Sequence, residues 1–235
     1  MSHPSISPLV ADYAARIARA DVYDAAILTP LDPAARLSRR LGNEILLKRE
    51  DLQPVFSFKC RGARNKIAHS SKASLANGVI CSSAGNHAQG VALAAAQKGI
   101  RAVIVMPEST PTIKIEAVKA QGGEIVLVGQ AYDDAYAHAL KLADEEQLAF
   151  IHPFADPDVI AGQGTIAREL VDQWPAVPAA VFVPVGGGGL IGGIGSFLKH
   201  HDPAIKIIGV EPVDAPSMHA DKERSTLATG SFPQV

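Results

Sequence analysis

The stretch AAVFVPVGGGGLIGGIGSFLKH, residues 179–200, carries the signal that decides the fold. Its first seven residues are apolar and typical of a buried strand, and a helical pattern begins at Leu190. The four glycines between them let backbone N–H groups approach an anion closely, because no Cβ intervenes. The helix start adds partial positive charge and N–H donors without intrahelical acceptors. The stretch therefore predicts a strand, a phosphate-binding turn and a helix.

The same order of strand and helix recurs outward from this stretch. Strands are predicted over residues 44–48, 78–81, 102–106, 124–128, 149–152, 179–185 and 205–210. Helices are predicted over residues 61–69, 87–98, 112–121, 132–146, 159–173 and 190–200. Gly99 and Gly122 fall where a helix C-cap is expected. Alternation at this spacing predicts an α/β fold of parallel sheets with helices on both faces.

Composition narrows the class of protein. The 235 residues are 47% hydrophobic and 20% charged with a net charge of −2, which suits one large or two small globular domains. This balance argues against disorder, and the lack of a basic stripe argues against nucleic acid as a partner. Cys60 and Cys81 cannot form a disulfide framework and fit a reducing compartment. Without an evident signal peptide or an apolar run that spans a bilayer, we expect a cytoplasmic protein.

The glycine run alone leaves the identity of the phosphate open. Residues 187–192 also satisfy the G-x-G-x-x-G pattern of dinucleotide-binding proteins, after a strand and before a helix. Glu211 lies at about the distance in sequence expected of a ribose-binding acid. A nicotinamide-dinucleotide-binding protein is therefore an alternative hypothesis at this point.

Two further loops contain candidate catalytic groups. The loop SFKCRGA, residues 57–63, places Lys59 beside Phe58 and close to an apolar pair upstream. A lysine that acts as a nucleophile must lose its proton near neutral pH, and burial favours the neutral form. The loop SSAGNHAQG, residues 82–90, brings hydroxyls, an amide and helix N–H groups together, which suits a carboxylate or a ring hydroxyl. His87 could act as a base, but Lys59 is the better candidate.

In this order, the two loops and the glycine run resemble the threonine dehydratase branch of the type II pyridoxal-phosphate enzymes. The stretches TPL (29–31), KRED (48–51), VMP (105–107) and AGQGT (161–165) also match. The stretch EDLQPVFS, residues 50–57, is most similar to the biosynthetic members. The resemblance extends over residues 21–212 and implies a two-domain, tryptophan-synthase-β-like fold with pyridoxal 5′-phosphate as cofactor.

The resemblance implies a role for each matched residue. Lys59 would anchor the cofactor covalently and act as the catalytic base, with Phe58 packed near its pyridine ring. Asn86 would bind the 3′-oxygen of the cofactor. The cofactor phosphate would lie on the glycine run, which consists of Gly186, Gly187, Gly188 and Gly189, and on Leu190. The substrate carboxylate would lie at Ser83, Ala84, Asn86 and His87.

Ala84 indicates the type of reaction. In the serine racemases of this family a serine stands at the matching position and handles the proton on the second face of the substrate. Ala84 has no proton to give, so elimination is expected rather than racemisation. The expected reaction converts L-threonine to 2-oxobutanoate and ammonia, the first step of isoleucine synthesis, with L-serine left open as a second substrate.

The chain also departs from the family pattern. By resemblance, residues 1–77 and 155–235 would form the larger domain and residues 78–154 the smaller one. We expect the larger domain to lack its last elements and the isoleucine-sensing domain to be absent, so an inactive fragment is a third hypothesis. The stretch 214–235 is expected to be a surface tail. Some relatives bind a cation near the residue that matches Glu211 with further acidic ligands, but here Ala215 and Ser217 follow and the distal acid is missing. Asp214 could serve instead, but it lies in a polar loop, so no metal is expected. The family suggests a homodimer or homotetramer.

Overall fold

The computed structural model describes residues 7–214, 216 and 218. The described helices are α1 Pro8–Ala18, α2 Ala35–Leu41, α3 Lys59–His69, α4 Asn86–Lys98, α5 Thr112–Ala120, α6 Tyr132–Glu145, α7 Pro157–Gln173 and α8 Gly189–His201. The described strands are β1 Leu31–Pro33, β2 Leu46–Lys48, β3 Val79–Ser82, β4 Ala102–Met106, β5 Glu124–Leu127, β6 Ala149–Phe150, β7 Ala180–Pro184 and β8 Lys206–Val210. None of these helices has the length and hydropathy that a membrane span requires.

A four-stranded parallel sheet organises the middle of the chain, with strand order β5-β4-β3-β6. Every residue of β3 and β4 is buried, as expected for parallel strands covered on both faces. Helix α6 packs Ala135 and Ala139 onto Ile80 and Val103 of one face. The predicted parallel α/β pattern is confirmed here, and Gly99 caps α4 with φ of 68°.

Strands β7 and β8 form a separate two-stranded parallel sheet, with Phe182 opposite Ile208 and Pro184 opposite Val210. Gly209 lies on the opposite face of this sheet from Ile208 and Val210. A Cβ added at Gly209 would lie 3.1 Å from the Ile191 side chain, so α8 packs closely on that face. Helices α1, α7 and α8 pack on one another.

The early part of the chain differs from the prediction. Strand β2, predicted as part of a parallel sheet, pairs antiparallel with β1 in a two-stranded sheet. The connection between them is the short helix α2, too short for the crossover that parallel neighbours need. Helix α1 was not predicted, although it buries Ala14 and Ile17 and has Pro8 in its first turn.

The chain forms two compact units. One contains the described residues of Met1–Ala20 and Pro153–Val235, and the other contains Asp21–His152. The domain division expected from the resemblance, with boundaries at 77/78 and 154/155, stays a prediction. Most of the expected tail, together with Ala215 and Ser217, lies outside the described residues.

Candidate active site

Lys59 is the first residue of α3, and its backbone is held on two sides. Its N–H donates to the Ser57 hydroxyl over 3.1 Å. A Cβ added to Gly90 of α4 would lie 2.9 Å from the Lys59 carbonyl carbon and 2.9 Å from the Cys60 nitrogen. Helix α4 therefore touches the backbone of the first turn of α3, an approach that only glycine allows.

The amine of Lys59 is partly buried and lies close to an aromatic ring. Its Nζ is 5.4 Å from the centroid of the Phe58 ring. A ring face favours the charged ammonium, whereas burial favours the neutral amine. Burial dominates and lowers the pKa of Lys59 below its ordinary value. Lys59 consequently holds a neutral, nucleophilic amine at lower pH than an exposed lysine does.

The asparagine loop, residues 82–87, joins β3 to α4 in the same compact unit. The Ser83 N–H donates to the Val105 carbonyl over 3.1 Å, which fixes the loop to the neighbouring strand. The Ser83 hydroxyl accepts from the Gly85 N–H over 3.2 Å. Asn86, the first residue of α4, is exposed, so its side-chain amide can meet a ligand. The first-turn N–H groups of α4 lie beside it and favour an anionic group.

His87 faces the interior. Its Nε2 lies 2.9 Å from the Ile151 carbonyl oxygen, and because a carbonyl only accepts, Nε2 carries the proton and Nδ1 is an acceptor. Burial lowers the pKa of His87 to about 3, so the ring is neutral at physiological pH. Among the described residues, His87 Nδ1 and Ser82 Oγ are buried side-chain atoms that find no hydrogen-bond partner.

A polar network lies directly behind the first turn of α3. The buried Arg61 donates to Glu50 through Nε at 2.7 Å and through a terminal nitrogen at 2.8 Å. Glu50 also accepts from the Thr29 hydroxyl at 2.5 Å and from Gln53 Nε2 at 3.1 Å. The stretches TPL and KRED, which matched the family without an assigned role, therefore contribute to the surroundings of residue 61.

The glycine run belongs to the other compact unit and opens α8. Gly188 has φ of 83°, which glycine adopts without strain. A Cβ at Gly187 would lie 2.3 Å from the Phe154 ring, and one at Gly189 would lie 2.8 Å from the Phe154 carbonyl oxygen. A Cβ at Gly186 would meet nothing within 4 Å, so the loop is open on that side. Backbone packed tightly on one side and open on the other, at a helix N-terminus, suits a phosphate group.

Glu211, the acid of the dinucleotide hypothesis, bonds within its own segment. Its Oε1 accepts from the Met218 N–H over 2.8 Å. A Cβ added at Gly188 would lie 2.6 Å from Met218 Cε, so this methionine lies against the glycine run. Glu211 therefore holds Met218, which lies against one side of the run.

Residues 22–232 match the sequence model of the family described as pyridoxal-phosphate dependent enzyme, and the chain belongs to that family. This resolves the choice that the glycine run alone left open, because pyridoxal phosphate is the cofactor of the family.

Within the family, the chain is similar to threonine dehydratases. It is 53% identical over 228 residues to the biosynthetic L-threonine dehydratase of Burkholderia multivorans, covering 94% of this chain and 45% of that protein. It is 57% identical over 207 residues to the chloroplastic biosynthetic threonine dehydratase of Arabidopsis thaliana, covering 88% of this chain and 35% of that protein. The chain thus spans about a third to a half of the length of these relatives.

A solved structure shows the same fold. The processed form of threonine deaminase isoform 2 from Solanum lycopersicum has a TM-score of 0.90 and 49% sequence identity, over 96% of this chain and 65% of that chain. The expected type II fold is therefore confirmed.

Within each unit, the residues present fit the chemical groups of the family's cofactor. The glycine run offers open helix N-terminal backbone for a phosphate, and burial lowers the pKa of Lys59, which favours the neutral amine that attacks a carbonyl carbon. The exposed amide of Asn86 can donate to a ring oxygen.

Sequence reasoning missed three structural contributors: Gly90, Phe154 and the pair of Glu50 and Arg61. Phe154 and Gly90 carry no chemical signature, because they act only through close packing, Phe154 through its ring and backbone and Gly90 through its lack of a side chain. Gln53 is fully buried and polar, but burial of a loop residue has no signal in a single sequence.

Proposed function

We propose that this chain contains the catalytic residues of a threonine ammonia-lyase that converts L-threonine to 2-oxobutanoate and ammonia, the first step of isoleucine synthesis. The observation that carries the proposal is Lys59, a half-buried lysine with a lowered pKa at the start of α3, in a member of the pyridoxal-phosphate family. Similarity to biosynthetic threonine dehydratases supports the choice of substrate.

In this proposal each cofactor group is assigned to the residues that the resemblance implies. Lys59 anchors it covalently, Phe58 packs against its ring, and Asn86 donates to its 3′-oxygen. The phosphate lies on the open side of the glycine run, and the backbone of Gly186, Gly187, Gly188, Gly189 and Leu190 contacts it. The helix dipole of α8 favours the negative charge there.

The substrate carboxylate is proposed to lie at the asparagine loop, against Ser83, Ala84, Asn86 and His87. Because His87 Nε2 already donates to Ile151, we assign the contribution of His87 to its backbone N–H in the first turn of α4. The hydrogen bond from Gly85 N–H to Ser83 Oγ holds the loop in the shape that presents these groups.

The proposed mechanism uses few side chains. Pyridoxal phosphate, when bound, draws electron density away from the Cα of the amino acid. Once the amino group of the substrate has displaced Lys59 from the cofactor, the freed Lys59 amine would accept the Cα proton, a role that its neutral form allows. Ala84 offers no proton on the second face, so the proton cannot return there and loss of the β-hydroxyl is favoured over racemisation.

We further propose a cytoplasmic homo-oligomer, a dimer or tetramer. Both cysteines are free and buried, which suits a reducing compartment. Helix α2 has no buried residue, and its Leu37 and Leu41 are exposed with the nearby Leu47, as expected of a surface that associates.

The test is reductive trapping. The purified chain is mixed with pyridoxal 5′-phosphate, reduced with borohydride and mapped by peptide mass, and 2-oxobutanoate formation from L-threonine is assayed in parallel. We expect a pyridoxyl adduct on Lys59, persisting to lower pH than on exposed lysines. Lys59→Ala should lose the adduct and at least about 100-fold of any turnover, because the base is removed.

The matched control is Lys98→Ala, which removes an exposed lysine from the end of α4 and should change neither readout. Equal labelling of Lys59 and Lys98 would refute Lys59 as the anchor. An adduct on Lys59 without 2-oxobutanoate would uphold the cofactor site and refute activity of this chain alone.

A further inference from the structure

Two short polar contacts near Lys59 are made by Arg61, two positions along the same helix. Arg61 has a side chain with no solvent exposure, and two of its nitrogens contact the two oxygens of Glu50 at 2.7 Å and 2.8 Å. A terminal nitrogen of Arg61 also donates to the Ile27 carbonyl over 3.2 Å. This planar, two-point contact restricts the orientation of the guanidinium as well as its position.

The carboxylate of Glu50 is itself fixed from several directions. Thr29 donates to one oxygen at 2.5 Å, and Gln53 Nε2 contacts both oxygens at 3.1 Å and 3.3 Å. The amide of Gln53 also pairs with the backbone of Ile27 in both directions, each over 2.9 Å. Arg61 is therefore held against a hydrogen-bonded wall formed by Ile27, Thr29, Glu50 and Gln53.

Helix geometry turns this anchor into a constraint on Lys59. Residues two apart in an α-helix point about 200° apart, so an Arg61 directed at this wall places the Lys59 side chain on the opposite side of the turn. Gly90 blocks movement of the same turn by touching the backbone of Lys59 and Cys60. Rotation of the turn would break the contacts with Glu50, and translation toward α4 would cause a clash.

We propose that Arg61 and Glu50 are positioning residues for Lys59, setting the rotation of the first turn of α3 and thereby the direction of the reactive amine. This inference rests on the proposed function of Lys59. A buried ion pair is a poor source of net stability, because desolvation offsets the attraction between the charges. The orientation of the Arg61 guanidinium, by contrast, is well defined, because its five N–H donors have a fixed planar geometry.

The experiment measures the Lys59 amine directly. Competitive labelling with acetic anhydride across pH, read by peptide mass, gives a titration midpoint and a reactivity for each lysine without any cofactor. The test variant is Glu50→Leu with Arg61→Met, which replaces the pair by apolar side chains of similar size and keeps the buried volume filled. Arg61→Lys, which keeps the charge and loses the two-point contact, is the second variant.

We expect the double variant to keep cooperative melting while the titration midpoint of Lys59 rises toward that of an exposed lysine, because the amine becomes less buried. Trapping of pyridoxal 5′-phosphate on Lys59, relative to trapping on Lys98, should fall about tenfold or more, because the Lys59 amine no longer points in the productive direction. Arg61→Lys should shift both readouts in the same direction by less.

The control is Arg101→Met, which removes an exposed arginine that contacts Glu124 through two nitrogens at 2.6 Å and 3.1 Å in the same unit. It should leave the Lys59 midpoint unchanged. An unchanged midpoint and trapping ratio in either folded Arg61 variant would overturn the positioning role. Failure of the proposed function is distinguishable, since it appears as absence of the Lys59 adduct in the wild-type chain itself.

Discussion

Burial shifts the pKa values of Lys59, His87 and Cys60 in the direction that favours the neutral form of each. It lowers the pKa of Lys59, lowers the pKa of His87 to about 3 and raises the pKa of the Cys60 thiol to about 12. For Lys59 the result is a nucleophile, whereas for Cys60 it is an unreactive thiol, because the thiolate is the reactive form. Burial therefore favours the nucleophilic form of Lys59 and the unreactive form of its neighbour Cys60.

The pKa of His87 makes a prediction about stability. Below pH 6.5, the unfolded chain takes up a proton on this residue that the folded chain refuses, so stability falls as the pH decreases. At pH 5, about 1.5 units below the ordinary value, the loss should be on the order of 2 kcal/mol. We expect His87→Gln, which cannot titrate, to lose less stability between pH 7 and pH 5 than the wild type.

Urea unfolding at the two pH values measures this difference. The matched control is His200→Gln, which removes an exposed histidine from the last turn of α8. This variant should lose as much stability between pH 7 and pH 5 as the wild type does. An identical pH dependence in His87→Gln and wild type would show that His87 is protonated or accessible in the folded state.

At this scale the sequence predicted residue types better than residue environments. The residues Lys59, Asn86 and His87 were found from their loops, and their assigned roles stay predictions. The inward orientation of the His87 ring could not be predicted, because Ile151, its partner, is 64 positions away in sequence. The network of Glu50 and Arg61 was missed for the same reason, since the wall is assembled from several turns and strands.

Helices α7 and α8, which support the glycine run, cross with their backbones in contact. A Cβ at Gly193 would lie 2.5 Å from the Ile160 carbonyl oxygen and 2.7 Å from the Gly164 nitrogen. Small residues at such a crossing allow the helix axes to approach more closely than ordinary side chains permit. The start of α8, and with it the phosphate-binding turn, is located by this crossing.

Two adjacent glycines of α8 should therefore respond oppositely to alanine. Gly193→Ala should destabilise the chain by roughly 2 kcal/mol, because backbone atoms of α7 must move away from the new methyl group. Gly192→Ala should be neutral or stabilise by about 0.5–1 kcal/mol, since its Cβ would meet only Ile160 Cγ2 at 3.9 Å and alanine is the better helix former. Denaturant unfolding of both variants distinguishes them, and equal destabilisation would refute the close crossing.

Most helices and strands were predicted within a few residues, but α1, α2 and β1 were not predicted. Strand β4 was predicted with its observed bounds, because a five-residue apolar run is unambiguous when flanked by a helix and a turn. Strands β1 and β2 contain three residues each, too few for a period to show. The structure of this region depends on pairing between distant segments, which periodicity does not report.

At the scale of the whole chain, the two parallel sheets differ in how their faces are covered. The middle sheet is covered on both faces, whereas the sheet of β7 and β8 has α8 on one face and exposed apolar side chains on the other. Parallel pairing places Phe182, Pro184, Ile208 and Val210 on that second face. Phe182 is 65% exposed and Val210 is 50% exposed. Parallel sheets are normally buried on both faces, so this surface should associate in water.

Sedimentation velocity over a concentration series tests this expectation on the chain of 235 residues. Phe182→Thr with Val210→Lys should reduce concentration-dependent association, because the patch becomes polar and a lysine opposes pairing at the strand edge. The control is Ile113→Lys, which replaces a side chain that is 79% exposed at the start of α5 and should leave association unchanged. If the double variant associates as strongly as the wild type, the β7–β8 face is not the surface responsible. The exposed leucines of α2 and β2 would then be the next surface to test.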